Sequence, residues 1–438
     1  MDSPSGDQSV RGRPVVVLGG LRTPWVKAGE NFSEVHAAEL GRLSAEELIL
    51  RLGVPLDQIE EVIFGNVSQP ADAMNIARVI ALRLGIPQPV PAHTVQRNCA
   101  SGMEAVSQAF DKIRHGQANL ILAGGTESMS GVPLLFGEQA KRKFMGLARA
   151  RSAMAKVGAL VGFRAADFNP VIALEVGLTD GFCGQNMGDT AENLAREFSI
   201  GRAAQDQYAL ESHRRAVVAA EAGFFSDEIV PVYPPPDFGE VAVDIGPRAQ
   251  QSLEALGKLR PYFDRQYGTV TPGNSCSITD GGCALLVASE EKARSLGIEP
   301  LGAIRGYAYH GCPPHRMGLG PAFAVPRVLD QVGWRMDEID RIELNEAFAV
   351  QVLANQRAFE SQEFAEKELG RSEPIGRLDH SRLNVNGGAI GLGHPVGATG
   401  ARLILTLLRE LKSSGLRRGL ATLCVGGGQG GAMLVERN

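Results

Sequence analysis

The chain has 438 residues, a net charge of −5 from 44 Lys and Arg against 49 Asp and Glu, and 53 glycines, about 12% where roughly 7% is usual. With 44% hydrophobic and 21% charged residues it can bury a sizeable core in roughly two to three domains, which excludes a disordered or collagenous chain. The acidic balance removes the main electrostatic basis for binding nucleic acid, and no run of about 18 apolar residues marks a transmembrane helix.

Met1 to Arg13 carries acidic residues and no apolar stretch, so no signal peptide is expected, and the final Val-Glu-Arg-Asn is no peroxisomal address. The six cysteines, Cys99, Cys183, Cys276, Cys283, Cys312 and Cys424, are scattered without a C-x-x-C pair, which suits a reducing cytoplasm. From Pro14 the runs PVVVLGG, HAAELGRLSAEELILRLG, EEVIFGNV and NIARVIALRLG read as strand, helix, strand and helix. This alternation predicts an α/β architecture with mostly parallel strands.

Leu56-Asp57-Gln58-Ile59-Glu60-Glu61-Val62-Ile63 is echoed by Met336-Asp337-Glu338-Ile339-Asp340-Arg341-Ile342-Glu343. Each copy leads through a glycine-punctuated helix to a strand ending in glycines, ANLILAGG at 118–125 and LATLCVGGGQGG at 420–431. The expected organisation is therefore a first half from 1–125 plus 251–295, an insertion over 126–250, and a second half over 296–438. Within the insertion, residues 140–166 hold Lys141, Arg142, Lys143, Arg149, Arg151, Lys156 and Arg164 with no acidic residue. That run is read as a solvated helical face, or as a contact to a membrane surface, a protein partner or ligand phosphates.

Four segments carry side chains suited to chemistry. In VQRNCASGMEAVSQAFDKIRHG, Met103, Val106, Phe110 and Ile113 recur with helical spacing, and Ser101 and Glu104 stand in capping-box positions. Cys99 precedes this helix, whose positive end would lower the thiol pKa and favour the thiolate; the alternative is a buried, inert cysteine. In NVNGGAIGLGHPVGATGARLILTLLREL, residues 383–401 contain six glycines and one ionisable side chain, His394. It reads as a base held close to a ligand, or as a structural histidine.

In LATLCVGGGQGGAMLVE, Gly426, Gly428 and Gly431 match G-x-G-x-x-G, but the chain ends before a helix can follow, so the dinucleotide reading fails its context. What remains is Cys424 at a strand end beside free glycine N–H groups, suited to an oxyanion hole or simply a glycine-rich hairpin. Asn345, in Asn345-Glu346-Ala347-Phe348, can hold a water or carbonyl, or can cap a helix. His310, Cys312 and His315 lie together without a fourth ligand, and no metal site is expected.

The segments NCASGMEAV, NEAFA, GGAIGLGHPVGATGAR and LCVGGGQGGA, in this order and spacing, resemble the thiolase family, and the resemblance runs from about Arg13 to the C-terminus. It implies duplicated βαβαβαββ halves forming a layered αβαβα core with an inserted loop domain. By resemblance Cys99 is the nucleophile that accepts the acyl group, His394 activates it, and Cys424 is a second acid/base at the α-carbon of acetyl-CoA. One oxyanion hole would use His394 and a water held by Asn345, the other the N–H groups of Cys99 and Gly426.

Coenzyme A is implied as a co-substrate, with no permanently bound cofactor. Phe263 in LRPYF aligns with a CoA-contacting segment near the adenine, and Met187, Met317 and Phe348 would line the acyl and pantetheine tunnel. Cys276 departs from the serine that contacts pantetheine in many members. The basic insertion makes the chain most similar to the β-subunit of the fatty-acid oxidation complex, although that branch often carries His where Asn345 stands.

The resemblance implies cleavage of 3-ketoacyl-CoA by CoA to acetyl-CoA and a shortened acyl-CoA in β-oxidation. Acetoacetyl-CoA formation, or a non-catalytic lipid carrier or scaffold, are the alternatives. It further implies a homodimer or dimer of dimers and a hydratase/dehydrogenase α-subunit as partner; the cysteine pattern gives the cytoplasm as the expected compartment, and the basic run leaves open a peripheral membrane contact through 140–166. Decarboxylating ketoacyl synthases share the fold but lack the second cysteine present here.

Overall fold

The structure, a computed structural model, describes residues 12–437, so the expectation about a leader falls largely on residues 1–11, outside the described part. Among the described residues twelve strands form: β1 (Val15–Arg22), β2 (Val26–Lys27), β3 (Glu61–Gly65), β4 (Ala92–Val95), β5 (Leu120–Glu127) and β6 (Leu134–Phe136) come first. They are followed by β7 (Pro170–Ile172), β8 (Thr279–Ser289), β9 (Gly302–Gly311), β10 (Arg341–Leu344), β11 (Arg418–Val425) and β12 (Gln429–Glu436). The main sheet runs β10-β11-β12-β9-β1-β8-β5-β3-β4, with β2 on β8 and a separate β6–β7 pair.

The two repeat copies take the same shape. Leu56–Gln58 and Met336–Glu338 are both 3-10 turns, and each leads into a strand, β3 and β10, that pairs parallel with its neighbour. Parallel pairing is confined to β3 with β4 and β5, and to β10 with β11; every other pair in the sheet is antiparallel. The expectation of mostly parallel strands is thus corrected. A parallel partner needs a long crossover, whereas β11 and β12 are joined only by Gly426–Gly428, two of them at positive φ (89° and 80° at Gly427 and Gly428).

β1 and β9 pair only over Val15–Val17 and Gly302–Ile304, and this narrow seam joins the two strand groups. Between the groups lie the Ser101–Arg114 and Val396–Ser414 helices, packed on each other. A Cβ on Gly400 would stand 2.3 Å from the Met103 nitrogen, and one on Gly102 2.8 Å from the Ala401 nitrogen, so glycine sets how closely the helices cross. Met103, Val106, Phe110 and Ile113 meet Ile404, Leu407, Leu408 and Leu411 in a core shared with strands of both halves. Outer cores under the Ala37–Leu52 helix and around the Gly320–Val332 helix complete the αβαβα layering.

Part of the insertion returns into the body. Glu228 and Asp244 grip the buried Arg22 at 2.7 and 2.6 Å, and Arg402, paired with Glu343 at 2.7 Å, shares the Trp25 ring with Arg22. Removing one member of such a buried pair costs about 3–5 kcal/mol, because the other charge stays uncompensated. By contrast, over 131–182 only Ala140, Asp167 and Asp180 are buried. Among the described residues no helix is long and apolar enough to cross a membrane.

Candidate active site

Cys99 sits in a tight turn immediately before the Ser101–Arg114 helix, after Asn98 in the left-handed region at φ 43°, which asparagine tolerates. The expected capping box does not form. Ser101 turns its hydroxyl back, accepting the Arg97 N–H at 2.9 Å and donating to the Asn98 carbonyl at 2.7 Å, while Glu104 takes the Arg97 guanidinium at 2.8 Å. Both side chains therefore fix the turn that carries Cys99 instead of capping the helix. Asn98 Nδ2 also donates to the Gly426 carbonyl at 2.7 Å, tying this turn to the glycine hairpin after Cys424.

The backbone N–H groups of Cys99 and Gly426 both point at the Cys99 sulfur and favour its thiolate, yet burial is the larger effect and raises its pKa. The expectation of a lowered pKa is corrected accordingly: desolvation outweighs the helix end. The resting group is a thiol that needs a base. Cys424, at the end of β11, is pushed well above the ordinary thiol range by burial and by Cys99, Cys276 and Cys312 nearby. Cys276 is pushed to about 12 by burial.

His394 is buried on the loop before the Val396–Ser414 helix, and Gly393, at φ 107°, admits no side chain because a Cβ would meet Thr279 at 2.5 Å. Its Nδ1 lies 2.7 Å from Thr399 Oγ1, and its Nε2 faces Asn345 Nδ2 at 3.5 Å. Burial first, and Arg402 second, lower the imidazole to about 4, so it is neutral and able to accept a proton. Asn345 is no helix cap: it is fully buried, its Oδ1 has no protein partner, and the next helix begins at Ala349 behind Phe348.

Two buried carboxylates hold this region. Glu127 accepts from Asn66 Nδ2 and from the N–H groups of Val67, Ser68 and Gly397, each at 3.0 Å, and burial raises it to about 7. Glu346 accepts from Tyr208, Ser212, Asn384 and the Ile390 N–H at 2.6–3.1 Å, anchoring the glycine loop that leads to His394.

Cys99, His394, Cys424, Gly426, Cys276, Met187, Met317 and Phe348 all line one cavity of about 570 Å³, whose other walls are largely apolar. Asn345 stands behind His394. Phe263 lies one ring back from the cavity wall, edge-on to Phe348 at 6.3 Å between centroids and flat against Gly188, where a Cβ would come within 2.2 Å of it. The sequence reading had missed Asn98, Thr399 and Glu127. Asn98 beside Cys99 and Thr399 five residues after His394 were signalled by adjacency alone; Glu127 has no local signal. His310 stacks on Phe323, and among the described residues no group of three metal-capable side chains assembles.

The arrangement provides a thiol facing two N–H groups, a neutral imidazole and a second thiol on one apolar cavity, as acyl transfer through a thioester and a carbanion requires. Residues 15–291 match the family description "Thiolase, N-terminal domain" and residues 298–437 "Thiolase, C-terminal domain". The chain is 40% identical over 427 residues to a 3-ketoacyl-CoA thiolase of Pectobacterium carotovorum, covering 97% of each. Among solved structures it resembles the Bacillus anthracis acetyl-CoA acetyltransferase, with 37% identity, a TM-score of 0.85, and coverage of 98% and 100%. It likewise resembles human mitochondrial 3-ketoacyl-CoA thiolase in complex with CoA, with 35% identity, a TM-score of 0.83, and coverage of 97% and 98%. The chain belongs to the thiolase family and is an acyltransferase.

Proposed function

We propose that the chain is a 3-ketoacyl-CoA thiolase, cleaving 3-ketoacyl-CoA with CoA to acetyl-CoA and an acyl-CoA two carbons shorter. The observation that carries this is the meeting of Cys99, from the first half, and Cys424, from the second, on one apolar cavity. His394 takes the Cys99 proton, and the sulfur attacks the 3-keto carbon. The resulting alkoxide collapses, breaking the C2–C3 bond and sending its electron pair to an acetyl-CoA enolate, which Cys424 protonates at C2. The acyl group is now a thioester on Cys99. CoA delivers its thiol proton to the Cys424 thiolate, attacks the thioester, and releases Cys99, which recovers its proton from His394.

The N–H groups of Cys99 and Gly426 suit one oxyanion, and His394 with a water on Asn345 Oδ1 suits the other; each preorganised donor contributes on the order of 3 kcal/mol. Cys276, Met187, Met317 and Phe348 are assigned to the pantetheine and acyl passage, with Phe263 supporting the CoA end. The division into two halves with 126–250 inserted belongs to the same reading. So do fatty-acid β-oxidation as the setting, the cytoplasm as compartment, a homodimer or dimer of dimers, and a hydratase/dehydrogenase subunit as supplier of substrate; these rest on family resemblance.

The test is the thiolysis rate across 3-ketoacyl-CoA chain lengths, with the acyl-enzyme mass measured on Cys99. Turnover that rises with chain length supports the degradative enzyme. Turnover restricted to acetoacetyl-CoA moves the assignment to an acetyl-CoA acetyltransferase, and no turnover of any length removes it.

A further inference from the structure

The two N–H groups that point at the Cys99 sulfur belong to Cys99 itself and to Gly426, segments far apart in the chain. An oxygen on the carbon that this sulfur attacks can be held by both only if the turn at 97–99 and the hairpin at 426–428 keep a fixed separation. The hairpin cannot fix it alone, since three successive glycines offer no side chain to anchor. What holds it has to reach across from the turn.

Arg97 does so. Its Nη1 donates to Gln429 Oε1 at 3.1 Å, and Gln429 opens β12 directly after the hairpin. Its Nε donates to Glu104 in the helix that follows Cys99, and the second Glu104 oxygen accepts from Gln108 Nε2 at 2.9 Å. The face of the guanidinium lies over the Tyr309 ring, 4.1 Å from Cζ to the centroid. That ring rests on β12: Tyr309 stands opposite Gly431, where a Cβ would come within 2.8 Å of it, and its hydroxyl lies 3.1 Å from Ser107 Oγ. A planar guanidinium engaged by its fork and its face keeps one orientation. The hairpin is therefore tied to the turn at both ends, by Asn98 on the Gly426 carbonyl and by Arg97 on Gln429.

Neither Arg97 nor Gln429 lines the cavity, so neither is placed to touch substrate. We propose that Arg97, acting through Gln429, is a positioning residue that sets the spacing between the Cys99 and Gly426 N–H groups. The inference rests on the thiolase reading and adds a division within the reaction. These N–H groups face the sulfur, so they serve the alkoxide formed when Cys99 attacks the keto carbon and again when CoA attacks the thioester. The enolate oxygen is left to His394 and the water on Asn345. Loss of the clamp then slows passage through the alkoxide and spares proton exchange at C2 of acetyl-CoA.

The experiment compares R97M, Q429L, Q429E and R97M/Q429L in the full chain, by acetoacetyl-CoA thiolysis and by deuterium exchange at the methyl of acetyl-CoA. R97M and Q429L should each lower kcat by about 10- to 100-fold, the range for a displaced oxyanion donor, with KM for CoA and the exchange rate within about threefold of wild type. Q429E keeps an acceptor for Arg97 and should restore kcat to within about threefold. The double variant should be no more than about threefold slower than R97M, because the two side chains act as one unit. An unchanged kcat in Q429L, an equal loss of thiolysis and exchange, or Q429E as slow as Q429L overturns the proposal. If R97M does not fold, the two Gln429 variants decide it. A wild-type chain without turnover removes the thiolase reading instead, and hydrogen exchange at the Gly426 to Gln429 amides then tests the clamp alone. Q429L should speed it about tenfold or more and Q429E should not; equal exchange in wild type and Q429L overturns the clamp.

Discussion

The Nδ1 atom of His394 lies 2.7 Å from Oγ1 of Thr399, and that hydroxyl directs its own proton to the Pro395 carbonyl at 3.0 Å. A hydroxyl has one proton, so the imidazole donates at Nδ1 and keeps the Nε2 lone pair free, as the role of base proposed for it requires. Thr399→Val should lower kcat for thiolysis about 10- to 100-fold, within the range of losing a positioned base, with little change in KM for CoA. Thr399→Ser should restore it. An unaffected kcat in the valine variant would show that the tautomer is set elsewhere.

With its pKa held at about 4 against an ordinary 6.5, His394 remains a base well below neutrality. The acid limb of kcat/KM attributable to it should therefore lie near pH 4. The unfolded chain binds this proton from about pH 6.5 downward and the folded chain only near 4, so stability is lost as pH falls through that window, by roughly 3 kcal/mol. Urea midpoints of wild type and His394→Asn, compared at pH 7 and pH 4.5, isolate this contribution: the wild type should lose more.

The two thiols should separate by assay. Cys99→Ala removes both the acyl-enzyme mass and turnover. Cys424→Ala should retain acetylation of Cys99 by acetyl-CoA while slowing deuterium exchange at the acetyl methyl by about 100-fold or more, since the task proposed for Cys424 is proton transfer at C2. Exchange at the wild-type rate in Cys424→Ala would assign that proton to another group.

A Cβ on Gly125, two residues before the end of β5, would stand 1.9 Å from the Gly397 carbonyl oxygen and 3.1 Å from Ala398 Cα. Backbone cannot turn aside as a side chain does. Gly125→Ala should cost about 3 kcal/mol, the upper end for overpacking, read as a lower urea midpoint. Gly146→Ala, inside the Glu138–Arg149 helix with nothing within 4 Å, should stabilise that helix by about 0.5–1 kcal/mol.

Cys276 lines the cavity with its backbone N–H on the Ala347 carbonyl at 3.0 Å. Cys276→Ser supplies a stronger donor, and KM for CoA should fall about 2- to 10-fold with kcat unchanged, the effect of one neutral hydrogen bond. An unchanged KM would place the pantetheine away from this side chain.

Much of this could be seen in the amino-acid order, because the signals were local. Met103 to Ile113 and Ile404 to Leu411 mark buried helix faces by spacing alone, and the Leu56 and Met336 segments repeat a turn and a strand around a shared Asp and Ile, Asp57 and Ile59 in one and Asp337 and Ile339 in the other. Effects set by distant neighbours were invisible. The charge at a helix start can be inferred beside Cys99, but the desolvation that outweighs it depends on the second half closing over the sulfur. Ser101 and Glu104 had the spacing of a cap, yet Arg97 competed successfully for both. Arg22 finds its carboxylate 206 residues away in Glu228, a pairing that no window of sequence contains. Strand direction was misjudged because it depends on connection length, which glycine hairpins shorten.

The bond from Asn98 to the Gly426 carbonyl crosses from one half of the chain to the other. Cys99 comes from one half and Cys424 from the other, and neither half alone holds the complete set of acid, base and oxyanion donors that the proposed reaction uses. On the proposed mechanism catalytic competence is a property of the seam, and should be lost when the halves part even if each keeps its strands and helices. Mild denaturant should silence the enzyme before its far-ultraviolet circular dichroism changes.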